Sequence, residues 1–326
     1  MTKLENLGET HDATITVLVD NHADLLVRSS ESVKRFTDEP LLAEHGFSAL
    51  IQLPDATILW DAGISETALL ENMKRLKLDP ARIDTIAISH GHSDHTGALL
   101  NLLLATGRAP ASRKWGKKVD LQEVDDWIQS RRIPLVVHPA AFRERWAIDR
   151  QGAYHGPNPP PSRAAWEAAG ARVVLAEGPT CLAMGCWTTG QVPRRTFETA
   201  GVGSRRLYRA DGGFRPDLIE DDQAIFMSVR DKGLVILAGC AHSGILNTIN
   251  QAREISGIDQ VWAVLGGFHL APASDADIAR TIDAIQALEP VMVVPTHCTG
   301  FAAISEFVRR MPEAFVLGAV GTKYLF

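Results

Sequence analysis

An α/β fold arranged as a four-layer αβ/βα sandwich follows from three features of the chain. Short β-rich runs alternate with helical patterns through the first third. The same alternation returns in the second half, and each half pairs a hairpin signal with a helix bearing one apolar stripe. Two β-rich halves of this kind bury their inner faces against each other and carry helices outside. Periodicity alone does not separate this arrangement from other α/β folds.

The elements read as follows. Ala13 to Val19 forms a strand, and Phe47 to Gln52 joins Thr57 to Trp60 through the turn-forming Pro54-Asp55-Ala56. Ser65 caps a helix whose Leu69, Met73 and Leu76 share a face, and Pro80 stops it before a buried strand at Thr85 to Ser89. From about 105 to 165 the pattern loosens through Gly107-Arg108-Ala109-Pro110 to the breaker-rich Gly156-Pro157-Asn158-Pro159-Pro160-Pro161. Between Arg108 and Arg150 there are ten Lys and Arg against six Asp and Glu. That stretch is expected to be a solvated insertion or a lid that attracts an anion. Later, Gln223 to Val229 and Leu234 to Ala238 flank the hairpin turn Asp231-Lys232-Gly233. Strands at Val261 to Leu265 and Val291 to Val294 bracket a helix capped at Ser274, with Ile278, Ile282 and Ile285 at core spacing.

With 326 residues, 45% hydrophobic and 22% charged, the composition is that of an ordinary globular protein. A net charge of −6 argues against a nucleic-acid or membrane-surface partner. Four scattered cysteines, with no apolar stretch of signal or membrane-span length, point to a reducing, cytoplasmic setting. Nothing in the chain specifies an oligomeric state.

The chemistry is concentrated in His90-Gly91-His92-Ser93-Asp94-His95, directly after a hydrophobic strand. Residues two apart in extended chain point the same way, so His90 and His92 reach one ion while Asp94 and His95 turn toward a second. Three imidazoles and a carboxylate crowded together are rarely useful without a cation. Zinc suits such a site best, and iron and manganese also accept imidazole and carboxylate.

This His-x-His-x-Asp-His pattern resembles the signature of the metallo-β-lactamase superfamily. Ala43-Glu44-His45-Gly46-Phe47-Ser48, Trp60-Asp61-Ala62-Gly63, Gly239-Cys240-Ala241-His242-Ser243-Gly244, Gly266-Gly267-Phe268-His269-Leu270 and Pro295-Thr296-His297-Cys298-Thr299-Gly300 extend the likeness. Together they resemble the branch named for 7,8-dihydropterin-6-methyl-4-(β-D-ribofuranosyl)aminobenzene-5′-phosphate synthase. The motifs run in order along nearly the whole chain, which implies one metallo-β-lactamase-type domain over 1–326.

The resemblance assigns His90 and His92 to a first metal, and Asp94, His95 and His297 to a second. The chain departs from the hydrolase pattern at Thr188-Thr189-Gly190, where many members have a histidine, and at Gly239-Cys240, where an aspartate usually bridges the metals. His242 is the natural replacement for the missing imidazole, its alternative being a hydrogen-bonding neighbour. Cys240 is either a thiolate ligand or a small buried residue. Asp61 matches a carboxylate that orients a metal-binding histidine. His45 is a pocket residue or a structural one. His269 is read as the proton donor to the leaving group, with ligation and packing as alternatives. His11, His22, His138 and His155 carry no assigned role.

The resulting function is a metal-dependent hydrolase that uses a metal-activated water on a small anionic ester, phosphoester or lactone. Two divalent metal ions are its expected cofactors, and Asp94 and His269 its expected catalytic groups. Arg194 and Arg195, just after Thr189-Gly190, with Arg205-Arg206 and Arg209 following in the same irregular stretch, are expected to hold the anion, or else to offset Glu198 and Asp211 on a solvated face. The alternatives are a transferase condensing a dihydropterin pyrophosphate with an aminobenzene ribotide, and a diiron redox protein or sensor.

Overall fold

The computed structural model describes residues 3–26, 29–36, 38–108, 113–149, 151–198 and 205–326. Ala109, Pro110 and Arg150 of the loosened middle stretch therefore lie outside the described residues. Eight strands form one sheet in the order Val33–Arg35, Thr322–Leu325, Thr14–Val19, Ser48–Gln52, Thr57–Trp60, Thr85–Ala87, Ile133–Val137 and Ala171–Leu175. A second sheet runs Thr180–Ala183, Cys186–Thr188, Ala224–Val229, Gly233–Ala238, Val261–Gly267 and Met292–Thr296.

Alternation along each strand explains the layers. Ile15, Val17, Ala49, Ile51, Ile58 and Trp60 face Ile225, Met227, Val235, Leu237 and Leu265 across the space between the sheets. The intervening Leu18, Leu50 and Leu59 face outward onto Leu69, Met73, Leu76, Leu99 and Leu102 of the first sheet's helices. On the other side Phe226, Leu234 and Ile236 meet Ile245, Ile249, Ile278, Ile282 and Phe307. Both faces of each sheet are apolar, so the strands read as continuous hydrophobic runs. Each such side chain taken fully out of water contributes roughly 1.5–3 kcal/mol before entropy is counted.

The expected hairpins form, with Leu53 N–H donating to Ala56 O at 2.8 Å to close the first. Ala224–Val229 pairs antiparallel with Gly233–Ala238, and Asp231 at the turn has a φ of 61°. The first helix spans Ala68–Arg75, and the Ser65 Oγ accepts the Ala68 amide at 3.1 Å from just outside it. Ser274 caps Asp275–Gln286 by accepting the Asp277 amide, and Ile278, Ile282 and Ile285 are buried as expected. Among the described residues no helix is long and apolar enough to cross a membrane.

The stretch 105–165 is not one insertion. Ile133–Val137 is a buried strand parallel to both Thr85–Ala87 and Ala171–Leu175. Its signal is masked in the sequence by Pro134 and by charged flanks. Before it, the helix Leu121–Arg131 buries no residue and carries much of the local charge. After it, Arg145–Ile148 and Tyr154–Asn158 join Arg206–Ala210 and Gly213–Pro216 in a small antiparallel sheet. That sheet is tied to the main body by Arg145, which donates to Asp217 Oδ2 at 2.8 Å and to Asp221.

The parallel strands Thr57–Trp60, Thr85–Ala87, Gly233–Ala238, Val261–Gly267 and Met292–Thr296 end on one edge of the sandwich. Asp61, His90, Cys240, His269 and His297 lie just beyond those ends. Open α/β sheets place their ligand sites at this edge.

Candidate metal centre

Three imidazoles converge at the end of Thr85–Ala87. His90 Nε2 lies 2.9 Å from His92 Nδ1 and 3.2 Å from His242 Nε2. Tetrahedral ligands held 2.0–2.1 Å from one ion stand about 3.3 Å apart, so the three nitrogens fit a shared cation. His90 and His242 are buried, and burial together with the neighbouring imidazoles holds both well below the usual histidine range. Burial, with Arg145 and Arg206 nearby, pushes His92 down to about 3. All three are neutral at physiological pH with a lone pair to give, as ligation requires. His242 thus joins His90 and His92 in one candidate donor group.

Asp94, His95, Cys240 and His297 make the adjoining group, their ligand atoms all within 4.8 Å of one another. His95 Nε2 is 3.1 Å from Cys240 Sγ, and Asp94 Oδ2 is 3.6 Å from His95 Nε2 and 3.5 Å from His297 Nε2. His297 Nε2 is buried with no hydrogen-bond partner among the described residues. Burial opposes the charge of Asp94, but His95 and His297 outweigh it and hold the carboxyl well below its ordinary value. This donor set of two imidazoles, a carboxylate and a thiol suits a divalent transition metal.

Partners behind the ligands fix their tautomers. Asp61, fully buried, takes the Ser89 amide and hydroxyl at 2.7 Å each and lies 2.7 Å from His95 Nδ1. Asp61 therefore holds the Nδ1 proton of His95 and turns Nε2 toward Cys240 and Asp94. Burial opposes charge on this ring, but Asp94 and Asp61 outweigh it and raise it to about 9, so Nε2 would give up a proton on binding a metal. Ser89 Oγ, 2.9 Å from His90 Nδ1, orients the His90 ring. Asn21 Oδ1, 3.0 Å from His297 Nδ1, orients the last histidine. Gly239 lets these parts meet, because a Cβ there would stand 2.2 Å from Ser89 Oγ and 2.8 Å from Asp61 Oδ2. Asp61, Ala241, His269 and His297 have φ values of 57°, 46°, 48° and 49°. Non-glycine residues held there cost of order 1–3 kcal/mol each, a strain that clusters at functional sites.

Both groups open into a cavity of about 430 Å³, with His45, Arg206 and His269 on its walls. His45 Nε2 is 3.4 Å from Asp94 Oδ2, and its side chain is 64% exposed, which makes it a pocket residue. The His269 ring centroid lies 4.2 Å from that of His242, and its ligand atom groups with those of Cys240 and His242.

Arg194 and Arg195 do not line this cavity. Arg194 donates to the carbonyls of Leu218 at 2.5 Å and His242 at 3.3 Å, so it braces the backbone of a candidate ligand. Arg195 points away to Glu254 Oε2 at 2.6 Å. Neighbouring residues in an irregular segment project in different directions, and chain proximity to Thr189-Gly190 does not reveal which. The arginine at the cavity wall is Arg206. Accordingly, Arg195→Ala is expected to change kcat/KM less than about threefold, since exposed ion pairs contribute little. Arg206→Ala is expected to lower it by roughly one to two orders of magnitude on an anionic substrate, the scale of one charge-assisted contact. Steady-state kinetics on both variants decides this, and a reversed order would return the role to Arg195.

Sequence reasoning also passed over Asn21 and Ser89. Asp20-Asn21 ends the strand Thr14–Val19 as Asp61 ends Thr57–Trp60, and that shared placement was the available signal. His138 closes a turn by accepting the Ala140 amide at 3.1 Å, and His155 pairs with Asp149 at 2.7 Å.

The family model described as the metallo-beta-lactamase superfamily matches residues 42–176. A Methanocaldococcus jannaschii protein named 7,8-dihydropterin-6-methyl-4-(beta-D-ribofuranosyl)-aminobenzene-5'-phosphate synthase is 30% identical over 323 residues, 96% of either chain. An uncharacterized protein of the same organism is 30% identical over 308 residues, 94% of this chain and 98% of its own. A solved structure described as a metal-dependent hydrolase of the beta-lactamase superfamily has a TM-score of 0.69 at 25% identity, covering 95% of this chain and 98% of that one. A metallo-beta-lactamase fold protein from Bacillus subtilis, 11% identical with a TM-score of 0.53 over 97% and 100% of the chains, shares the fold.

Proposed function

Because this chain belongs to the metallo-beta-lactamase superfamily, in the branch of the dihydropterin-ribofuranosylaminobenzene-phosphate synthase, we propose that it is a metal-dependent hydrolase of small anionic esters, phosphoesters or lactones. The observation that carries this reading is the meeting of two donor groups, His90-His92-His242 and Asp94-His95-Cys240-His297, at one open cavity. We assign them two divalent transition-metal ions, zinc first, with iron or manganese also compatible. Such ions lower the pKa of a water toward neutrality and polarise a carbonyl or phosphoryl oxygen.

The chain's own groups do the rest. Arg206 holds the negative charge of the substrate beside the cavity. Asp94 accepts hydrogen bonds and charge at the centre, flanked by His45 and His297. His269, on the wall beside His242, holds a proton for the leaving group. The surrounding layers keep bulk water from all but the open side. We place it in a reducing, cytoplasmic setting on the ground of its few, scattered cysteines.

The synthase relative favours a second reading, in which the same centre assists transfer from a dihydropterin pyrophosphate to an aminobenzene ribotide. Metal content measured on the purified protein, together with turnover of phosphodiesters, lactones and the pterin pyrophosphate with and without the ribotide, separates the two. Hydrolysis without an acceptor supports the first, and pterin consumption only with the ribotide replaces it with the second. Asp61→Asn is expected to lower metal affinity or activity by about 10–100-fold, the usual cost of losing a carboxylate behind a ligating histidine. Equal metal retention and rate in that variant would remove Asp61 from the site.

A further inference from the structure

Beside the metal cavity lies a second one of about 310 Å³, between the His90–His95 turn and the small antiparallel sheet. His92, Asp94 and Arg206 border both cavities. Arg143 and Arg145 line the second, and Arg143 also borders a further cavity with His138, Glu177 and Glu220. Arg145 is 6% exposed, and its Nε and Nη2 are taken by Asp217 and Asp221, yet its Nη1 is buried with no acceptor among the described residues. Arg143 repeats the pattern. Its Nη2 pairs with Glu220 at 2.5 Å and its guanidinium lies 4.2 Å over the Tyr208 ring, while Nη1 is buried and without an acceptor. Each guanidinium is thus ion-paired yet keeps one buried donor without an acceptor among the described residues, and both side chains line this cavity, where an oxygen-rich ligand would supply the missing acceptors.

We infer that this second cavity is a subsite for a phosphoryl group on the substrate, remote from the bond that reacts at the metal centre. Three guanidinium groups from separate positions on the small sheet and its approach, Arg143, Arg145 and Arg206, match a group with three terminal oxygens and up to two negative charges. Their own acids, Glu220, Asp217 and Asp221, hold the guanidiniums in place from behind. With Arg206 on the shared wall, a phosphorylated small molecule would have its phosphate under the small sheet and its reacting group beside Asp94. The inference rests on the proposed function for what reacts, but the binding of phosphate stands or falls separately.

The test is calorimetric titration of inorganic phosphate into the purified protein, with metal content measured on each sample. Saturable binding is expected in the wild type, weakened at least about tenfold by Arg143→Ala, the scale of one charge-assisted bond. Arg143→Lys, which keeps the charge but offers one compact donor, is expected to fall between, and Arg195→Ala to bind as the wild type does. Arg143 is a quarter exposed, so its variants are expected to fold, and matched thermal unfolding checks this. Unchanged affinity in Arg143→Ala overturns the subsite. So does binding that disappears in a His90→Ala/His92→Ala variant while ignoring Arg143, because phosphate then sits on the metals alone. A protein that binds phosphate through Arg143 but turns over no ester overturns the hydrolase reading and leaves the subsite standing.

Discussion

His242→Ala is expected to weaken the first metal site by more than about 100-fold and to remove most activity. Losing a group behind a ligand costs about 10–100-fold in affinity, and loss of the ligand itself exceeds that. Among the described residues, His242 is one of three imidazoles whose nitrogens meet there, 3.2 Å from His90 Nε2. No other histidine, carboxylate or cysteine among the described residues joins His90 and His92 in that group. His138→Ala, at a buried turn on the neighbouring strand end, serves as the comparison and is expected to keep its metal. Competition against a chromophoric chelator measures both affinities. Equal, negligible effects would show that His242 is a hydrogen-bonding neighbour and that the first site is completed elsewhere. A His90→Ala/His92→Ala variant retaining full metal and activity would sink the whole centre.

Arg145→Ala is expected to destabilise the protein by about 3–5 kcal/mol, because it strands two buried carboxylates. Asp217 and Asp221 are 1% and 0% exposed, and Arg145 is their shared cation. Asp221 also accepts the Gly91 amide at 2.7 Å, so the loss reaches the turn that carries His90 and His92. Thermal unfolding is expected to shift down on the order of 10 °C. Arg145→Met combined with Asp217→Asn and Asp221→Asn removes the stranded charges and is expected to recover part of the loss. A change below about 1 kcal/mol in the single variant would mean that water reaches these carboxylates and that the small sheet is not anchored through them.

Much of the site was legible because its residues are local to one another in the chain. His90, His92, Asp94 and His95 follow a strand within six positions, and the two-residue period of extended chain already divides them between two groups. His242, which the structure groups with His90 and His92, was pointed to only by the resemblance, through the histidine that Thr188-Thr189-Gly190 lacks. The hairpins and the stripes Leu69-Met73-Leu76 and Ile278-Ile282-Ile285 were legible for the same reason, since burial of one face imposes a short period on the sequence.

What stayed hidden depends on contacts between distant residues. Thr322–Leu325 inserts beside Thr14–Val19, more than 300 positions away, and no local period announces that pairing. Ile133–Val137 was read as part of an insertion, because charged neighbours outweighed the four residues of it that the sheet buries. The arginine at the cavity wall is Arg206 rather than Arg194 or Arg195, because pairing of Arg206–Ala210 with Arg145–Ile148 places it there. Carbonyls of Leu218 and His242 and the carboxylate of Glu254 occupy the other two. Residue types and short spacings thus specify which chemistry the chain can carry. The direction of each charged side chain is a property of its long-range partners, since a guanidinium goes wherever the fold leaves an acceptor for it.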